Sequence, residues 1–111
     1  MYIANAFSLQ MLTSDEVSIT VGPAVGPQAI KSILLGEQEI TLQSAIGHAD
    51  TAAVVSADLG VELPMARVNV QLHPGDELLV AQVIGGRLPE GCKTLPDGVR
   101  IVYRVVSVHA A

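Results

Sequence analysis

The sequence predicts an α/β fold, a sandwich in which a mixed sheet of four to five strands carries flanking helices. Three observations predict it. Apolar residues alternate with polar ones over Glu16 to Val21, and Val99 to Val108 is a largely apolar stretch that reads as a last strand. Between them, Thr51 to Leu59 sets Ala52, Val55 and Leu59 on one helical face. Glycine and proline punctuate Gly22 to Gly36 and Gly85 to Gly98, marking breaks between elements. With 111 residues there is room for one core, so residues 1–111 read as a single domain.

In chain order, Tyr2 to Ala6 reads as a buried strand, and Ser8 or Asn5 can cap a helical turn through Leu9 to Leu12. Glu16 to Val21 predicts a half-buried strand. Ala29 to Leu35 fits either a short helix or an edge strand. Glu37 to Ile46 predicts a helix, with Glu37 and Glu39 in its first turn and Gly47 as its C-terminal stop. Asp50 is placed to cap a second helix over Thr51 to Leu59, ended by Gly60. His48 then falls in the joint between two helices. Met65 to Leu72 predicts a strand with one apolar face and one polar face built from Arg67, Asn69 and Gln71. His73 to Asp76 is a turn. Glu77 to Ile84 is apolar on both faces except at Gln82, which predicts a central strand. Gly85 to Gly98 is a surface loop, and Val99 to Val108 is the last strand.

Composition removes several function classes. The net charge of −5 and only six scattered basic residues argue against duplex DNA and anionic membranes, which bind through clustered Lys and Arg. The one cysteine, Cys92, has no internal disulfide partner and suits a reducing compartment. With no signal-peptide pattern and no membrane-length apolar run, the expected location is the cytoplasm. Half the residues are hydrophobic, high for so small a body, which hints that apolar surface is shared between subunits.

The chain has no phosphate-binding P-loop, no dinucleotide fingerprint and no metal-ligand spacing, so neither cofactor nor metal is expected. A site built from His48, His73 and His109 has no spacing to support it. His48 itself has two readings. It either satisfies a backbone carbonyl, or it stands before a helix N-terminus whose free N–H groups suit a phosphate, with an imidazole beside them to move a proton. Arg87 and Glu90 share the glycine-rich loop, as a solvated turn or as a lid that delivers an arginine to phosphate. Arg67 is a rim charge or a second phosphate clamp. Asn5 and Gln82 are amides in apolar strands, suited to buried hydrogen bonds or to a ligand's bases.

Four segments carry a resemblance: YIANAFSLQML at Tyr2 to Leu12, SAIGHADT at Ser44 to Thr51, ARVNVQL at Ala66 to Leu72, and LLVAQVIGGRLPEG at Leu78 to Gly91. Together they resemble the viral type III anti-CRISPR ring nucleases and their phage and bacterial relatives. The resemblance implies a two-fold homodimer that binds cyclic tetra-adenylate across its interface. It implies metal-free cleavage to linear di-adenylates ending in a 2′,3′-cyclic phosphate, which silences the messenger. It assigns catalytic roles to His48, Arg87 and Glu90, and ligand contacts to Asn5, Ser8, Arg67, Val70 and Gln82. The competing readings are a module that sequesters a cyclic oligonucleotide without turnover, and a small phage or viral regulator acting through its dimer surface.

Overall fold

Alternating aliphatic residues build one sheet, and the order of its strands decides where the loops open. The computed structural model describes residues 1–36 and 41–111. Strands β1 (Tyr2–Ala4), β2 (Val17–Val21), β3 (Gln43–Ser44), β4 (Glu77–Ile84) and β5 (Arg100–Ala110) form a five-stranded mixed sheet. Their order is β2-β5-β4-β1-β3. β1 runs parallel to both β3 and β4, while β5 is antiparallel to β4 and to β2. Helices α1 (Pro27–Leu34) and α2 (Ala49–Leu59) pack on one face.

The two-residue period of a strand sends neighbours to opposite faces, and this divides the core. Ile3, Leu79, Ala81, Ile101 and Tyr103 meet Ile30 of α1 and Ala52, Val55 and Leu59 of α2. Ala4, Leu78, Val106 and Val108 face the other way, against Val70 and Leu72. β4 is apolar on both faces because both are covered, as its sequence predicts. Ile3, Ile46 and Leu78 are wholly buried, each contributing about 1.5–3 kcal/mol.

Local chemistry sets the helix limits. Pro27 occupies the first turn of α1, where a missing N–H costs nothing and the fixed φ favours the helix. The open alternative for Ala29 to Leu35 is therefore resolved as a helix. α2 stops at Gly60, which adopts a left-handed φ of 70° and donates to the Ser56 carbonyl at 2.8 Å. The Ser56 hydroxyl then accepts from the Leu63 N–H at 2.9 Å and fixes the exit of the chain. Ser8 caps the short 3₁₀ turn Leu9–Met11, as expected, by accepting from the Gln10 N–H at 3.3 Å.

Four expectations are corrected. The predicted helix Glu37 to Ile46 lies partly outside the described residues, and its described remainder is extended. There Gln43 donates to the Met1 carbonyl at 2.9 Å and Ala45 to the Ile3 carbonyl at 2.8 Å, forming β3 beside β1. Tertiary pairing overrides helical periodicity at this point. Gly47 accordingly ends no helix, and His48 lies between a strand and a helix. It is itself the N-cap residue of α2, a position assigned above to Asp50. Among the described residues, Met65 to Leu72 belongs to no strand of the sheet, and Leu72 bridges to Leu12. Finally, β2 is an exposed edge strand rather than a half-buried one, with only Val17 partly covered.

Candidate functional site

Because β1, β3 and β4 run parallel, their carboxyl ends open along the same margin of the sheet. Ligands of open α/β sheets bind in the crevice outside such ends. Here the crevice is a groove of about 710 Å³, within the usual range of small-ligand sites. Asn5 enters it just after β1, His48 after β3, and Gln82 from the end of β4. Asp50 and Thr51 come from the first turn of α2, and Gly86, Arg87 and Leu88 from the loop after β4.

The α2 N-terminus gives the groove its polarity. The first backbone bond of the helix runs from the Ala52 N–H to the His48 carbonyl at 3.0 Å, so the N–H groups of residues 49–51 have no partner within the helix. The His48 side chain makes no capping bond and stands exposed. These donors, the helix dipole and the guanidinium of Arg87 all favour an anion. One group opposes them, the carboxylate of Asp50. It is already engaged, accepting from the Gly91 N–H at 3.1 Å.

That bond ties the loop over the groove to the helix beneath it. The loop turns out of β4 at Gly85, where φ is +93° and a side-chain β-carbon would lie 2.1 Å from the Gly98 carbonyl oxygen. Only glycine fits there. Both glycines in that pair bring the two arms of the loop together and aim Arg87 across the groove.

Of the sequence-predicted residues, the structure therefore gathers Asn5, His48, Gln82 and Arg87 around one groove. The other four lie outside its lining. Ser8 is spent on capping. Val70 is 3% exposed in the second core, so its side chain packs the sheet. Glu90 lies on the loop beyond Leu88, exposed to solvent. Arg67 is at the rim, its Nε donating to the Gly47 carbonyl at 3.4 Å, one residue from His48. Sequence reasoning missed Asp50 and Thr51 as lining residues. The signal was present, since any residue in the first turn of a helix begun at His48 must face the same opening. His48, His73 and His109 do not converge: His73 pairs with Asp76 and His109 with Thr20. Among the described residues no group of three His, Cys, Asp or Glu side chains is arranged to hold a metal ion.

Comparison with known proteins places this arrangement. A family model described as STIV B116-like matches residues 1–97, which take in the sheet through β4, both helices and the whole groove. The chain belongs to this family. An uncharacterized protein of a Sulfolobus islandicus filamentous virus (isolate Iceland/Hveragerdi) is 33% identical over 107 residues, 95% of this chain and 86% of that protein. The solved structure of B116 from Sulfolobus turreted icosahedral virus matches with a TM-score of 0.74 at 31% identity. That alignment covers 96% of this chain and 97% of the viral one. The STIV B116-like fold is thus shared over nearly the full length, with relatives in viruses.

Proposed function

We propose that this STIV B116-like protein is a metal-independent ring nuclease. It binds cyclic tetra-adenylate across a homodimer interface and cleaves it to linear di-adenylates bearing 2′,3′-cyclic phosphates, silencing type III CRISPR signalling. One observation carries the reading: an imidazole, an arginine and two amides meet at an open helix N-terminus in a groove at the carboxyl ends of three parallel strands. The resemblance of four sequence segments to the ring nucleases supplies the substrate class.

RNA brings its own nucleophile to such a site. The ribose 2′-OH gives its proton to water as it attacks the adjacent phosphorus in line, the bond to the 5′-oxygen breaks, and the leaving oxygen takes a proton. His48 donates that proton. Arg87 and the free N–H groups of α2 stabilise the charge that builds on the phosphorane, an effect worth several kcal/mol (about 2.7–4 for one such donor). Asn5 and Gln82 hydrogen-bond the ligand's polar edges. Glu90 acts from the loop, orienting either Arg87 or His48 once the lid has closed on ligand. A ring with two-fold symmetry meets one His48 from each subunit, so two opposite bonds are cut.

A second reading, sequestration without turnover, draws on a different observation. The His48 imidazole has no hydrogen-bond partner to orient it among the described residues, and oriented bases usually have one. The deciding experiment incubates the protein with cyclic oligoadenylates of several ring sizes in excess chelator and separates the products. Linear di-adenylates from the four-membered ring support the nuclease. Intact ring, protected at one equivalent per site, would support sequestration. Cleavage that disappears with chelator and returns with a divalent cation would overturn the metal-free mechanism.

A further inference from the structure

The loop after β4 carries one pattern twice, a proline, an acidic residue and a glycine: Pro89-Glu90-Gly91 and Pro96-Asp97-Gly98. Both copies fold alike. The Cys92 N–H donates to the Pro89 carbonyl at 3.2 Å, and the Val99 N–H to the Pro96 carbonyl at 3.1 Å. The glycines adopt φ of +78° and +79°, as the third position of a type II turn requires. A type II turn differs from type I by a flip of its central peptide, so the left-handed Gly91 decides on which side its N–H lies. It lies toward α2, where the Asp50 carboxylate accepts it at 3.1 Å.

The remaining contacts of the loop are of a different kind. Leu88, Cys92 and Leu95 pack, half-buried, against the core on the helix side of the sheet. Such contacts are non-directional and fix no orientation, whereas a hydrogen bond does. Among the described residues, the bond from Gly91 to Asp50 is the only hydrogen bond joining residues 86–97 to the rest of the chain. Asp50 is half-buried and stands two residues after His48, in the first turn of α2. It therefore links the loop that carries Arg87 to the helix start that carries His48.

We propose that Asp50 is a positioning residue, the catch of a lid that the chain builds from its own contacts. By holding Gly91 it fixes the loop, and Arg87 with it, over the groove. A ring enters by releasing the catch and is cut after the bond has formed again. The positioning of Arg87 for cleavage rests on the nuclease reading; the catch itself does not.

The test is a mutant cycle on the whole chain with Asp50→Ala, Asp50→Asn, Gly91→Ala and the two alanine substitutions combined. Asparagine keeps an acceptor oxygen and loses the charge, so it separates the bond from the helix-dipole contribution that both Asp50 substitutions remove. Alanine at position 91 disfavours the left-handed φ and turns the N–H away. Amide hydrogen exchange over residues 86–97, measured without ligand, is expected to quicken roughly tenfold in either alanine variant, as for one lost hydrogen bond to a charged group. The combined variant is expected to add little to either one, and Asp50→Asn to stay close to the parent. With cyclic tetra-adenylate, either alanine variant should bind the ring faster yet cut it several-fold more slowly in a single turnover. A general loss of structure would slow both steps. Unchanged exchange in Asp50→Ala, exchange in Asp50→Asn as fast as in Asp50→Ala, or additive effects in the combined variant would each overturn the catch. Cleavage that is undiminished with the loosened loop would overturn the positioning of Arg87. The expected exchange pattern in a protein that cuts no ring keeps the catch and overturns the nuclease.

Discussion

At the residue scale, His48 and Tyr103 make opposite predictions. His48 is exposed and makes no side-chain bond among the described residues, so His48→Ala should leave stability within about 0.5 kcal/mol. If it is the general acid, single-turnover cleavage should fall roughly 100-fold or more while the ring still binds. A folded His48→Ala protein that cuts at the normal rate removes the residue from the mechanism. Tyr103 is completely buried and its hydroxyl donates to Asp58 at 2.6 Å. Burial, and then the hydrogen bond and charge of Asp58, hold that hydroxyl protonated well beyond the ordinary tyrosine range. The unfolded chain releases the proton near pH 10, at which the folded chain still keeps it. Stability is therefore full below about pH 10 and declines as pH rises above it. Melting temperatures from about pH 8 to 11 should show the decline, and Tyr103→Phe should flatten it at a cost of about 1 kcal/mol. An unchanged slope in Tyr103→Phe would assign the alkaline loss to other groups.

At the scale of elements, the loop 85–98 and the start of α2 act together. The Asp50 carboxylate both faces the helix dipole and holds the Gly91 N–H. Asp50→Ala should free the loop, so that limited proteolysis between Gly85 and Gly98 becomes several-fold faster, and ligand should restore protection. Identical cleavage patterns in the two proteins would mean that the tie has no role in holding the loop. Gly85→Ala should be worse tolerated, because it combines a left-handed φ with a clash against the Gly98 carbonyl. A loss of more than about 1 kcal/mol is expected in denaturant titrations. The loop was legible from its glycines and prolines, and β4 and β5 from their runs of aliphatic residues. β3 was not, since two residues carry no periodicity and its strand character comes from the backbone of β1 alongside.

For the whole molecule, charge and assembly are the relevant quantities. A net charge of −5 is unfavourable at long range for a polyanionic ring, but the potential in a groove is set by its own dipoles and charges. In the proposed homodimer, Arg67 and Arg87 would each occur twice around the bound ring. If folding and assembly are linked in this way, the melting temperature should rise with protein concentration. A melting temperature independent of concentration over a hundredfold range would show that the folded chain does not draw stability from a partner.

The sequence by itself determined the α/β class, the central place of β4, the stop at Gly60 and the turn at His73 to Asp76, because each is written in local chemistry or local periodicity. It also marked His48, Arg87, Asn5 and Gln82, chemically distinctive residues in otherwise apolar or glycine-rich surroundings. Only the tertiary structure decided that the chain before His48 is a strand, that Asp50 lines the groove, and that Val70 is core. It also decided that residues 66–71, which have a strand's pattern, join no strand of the sheet among the described residues. The physical reason is common to all four. Periodicity records which side of a segment is apolar, whereas the neighbour that satisfies its backbone is chosen by residues far away in the sequence.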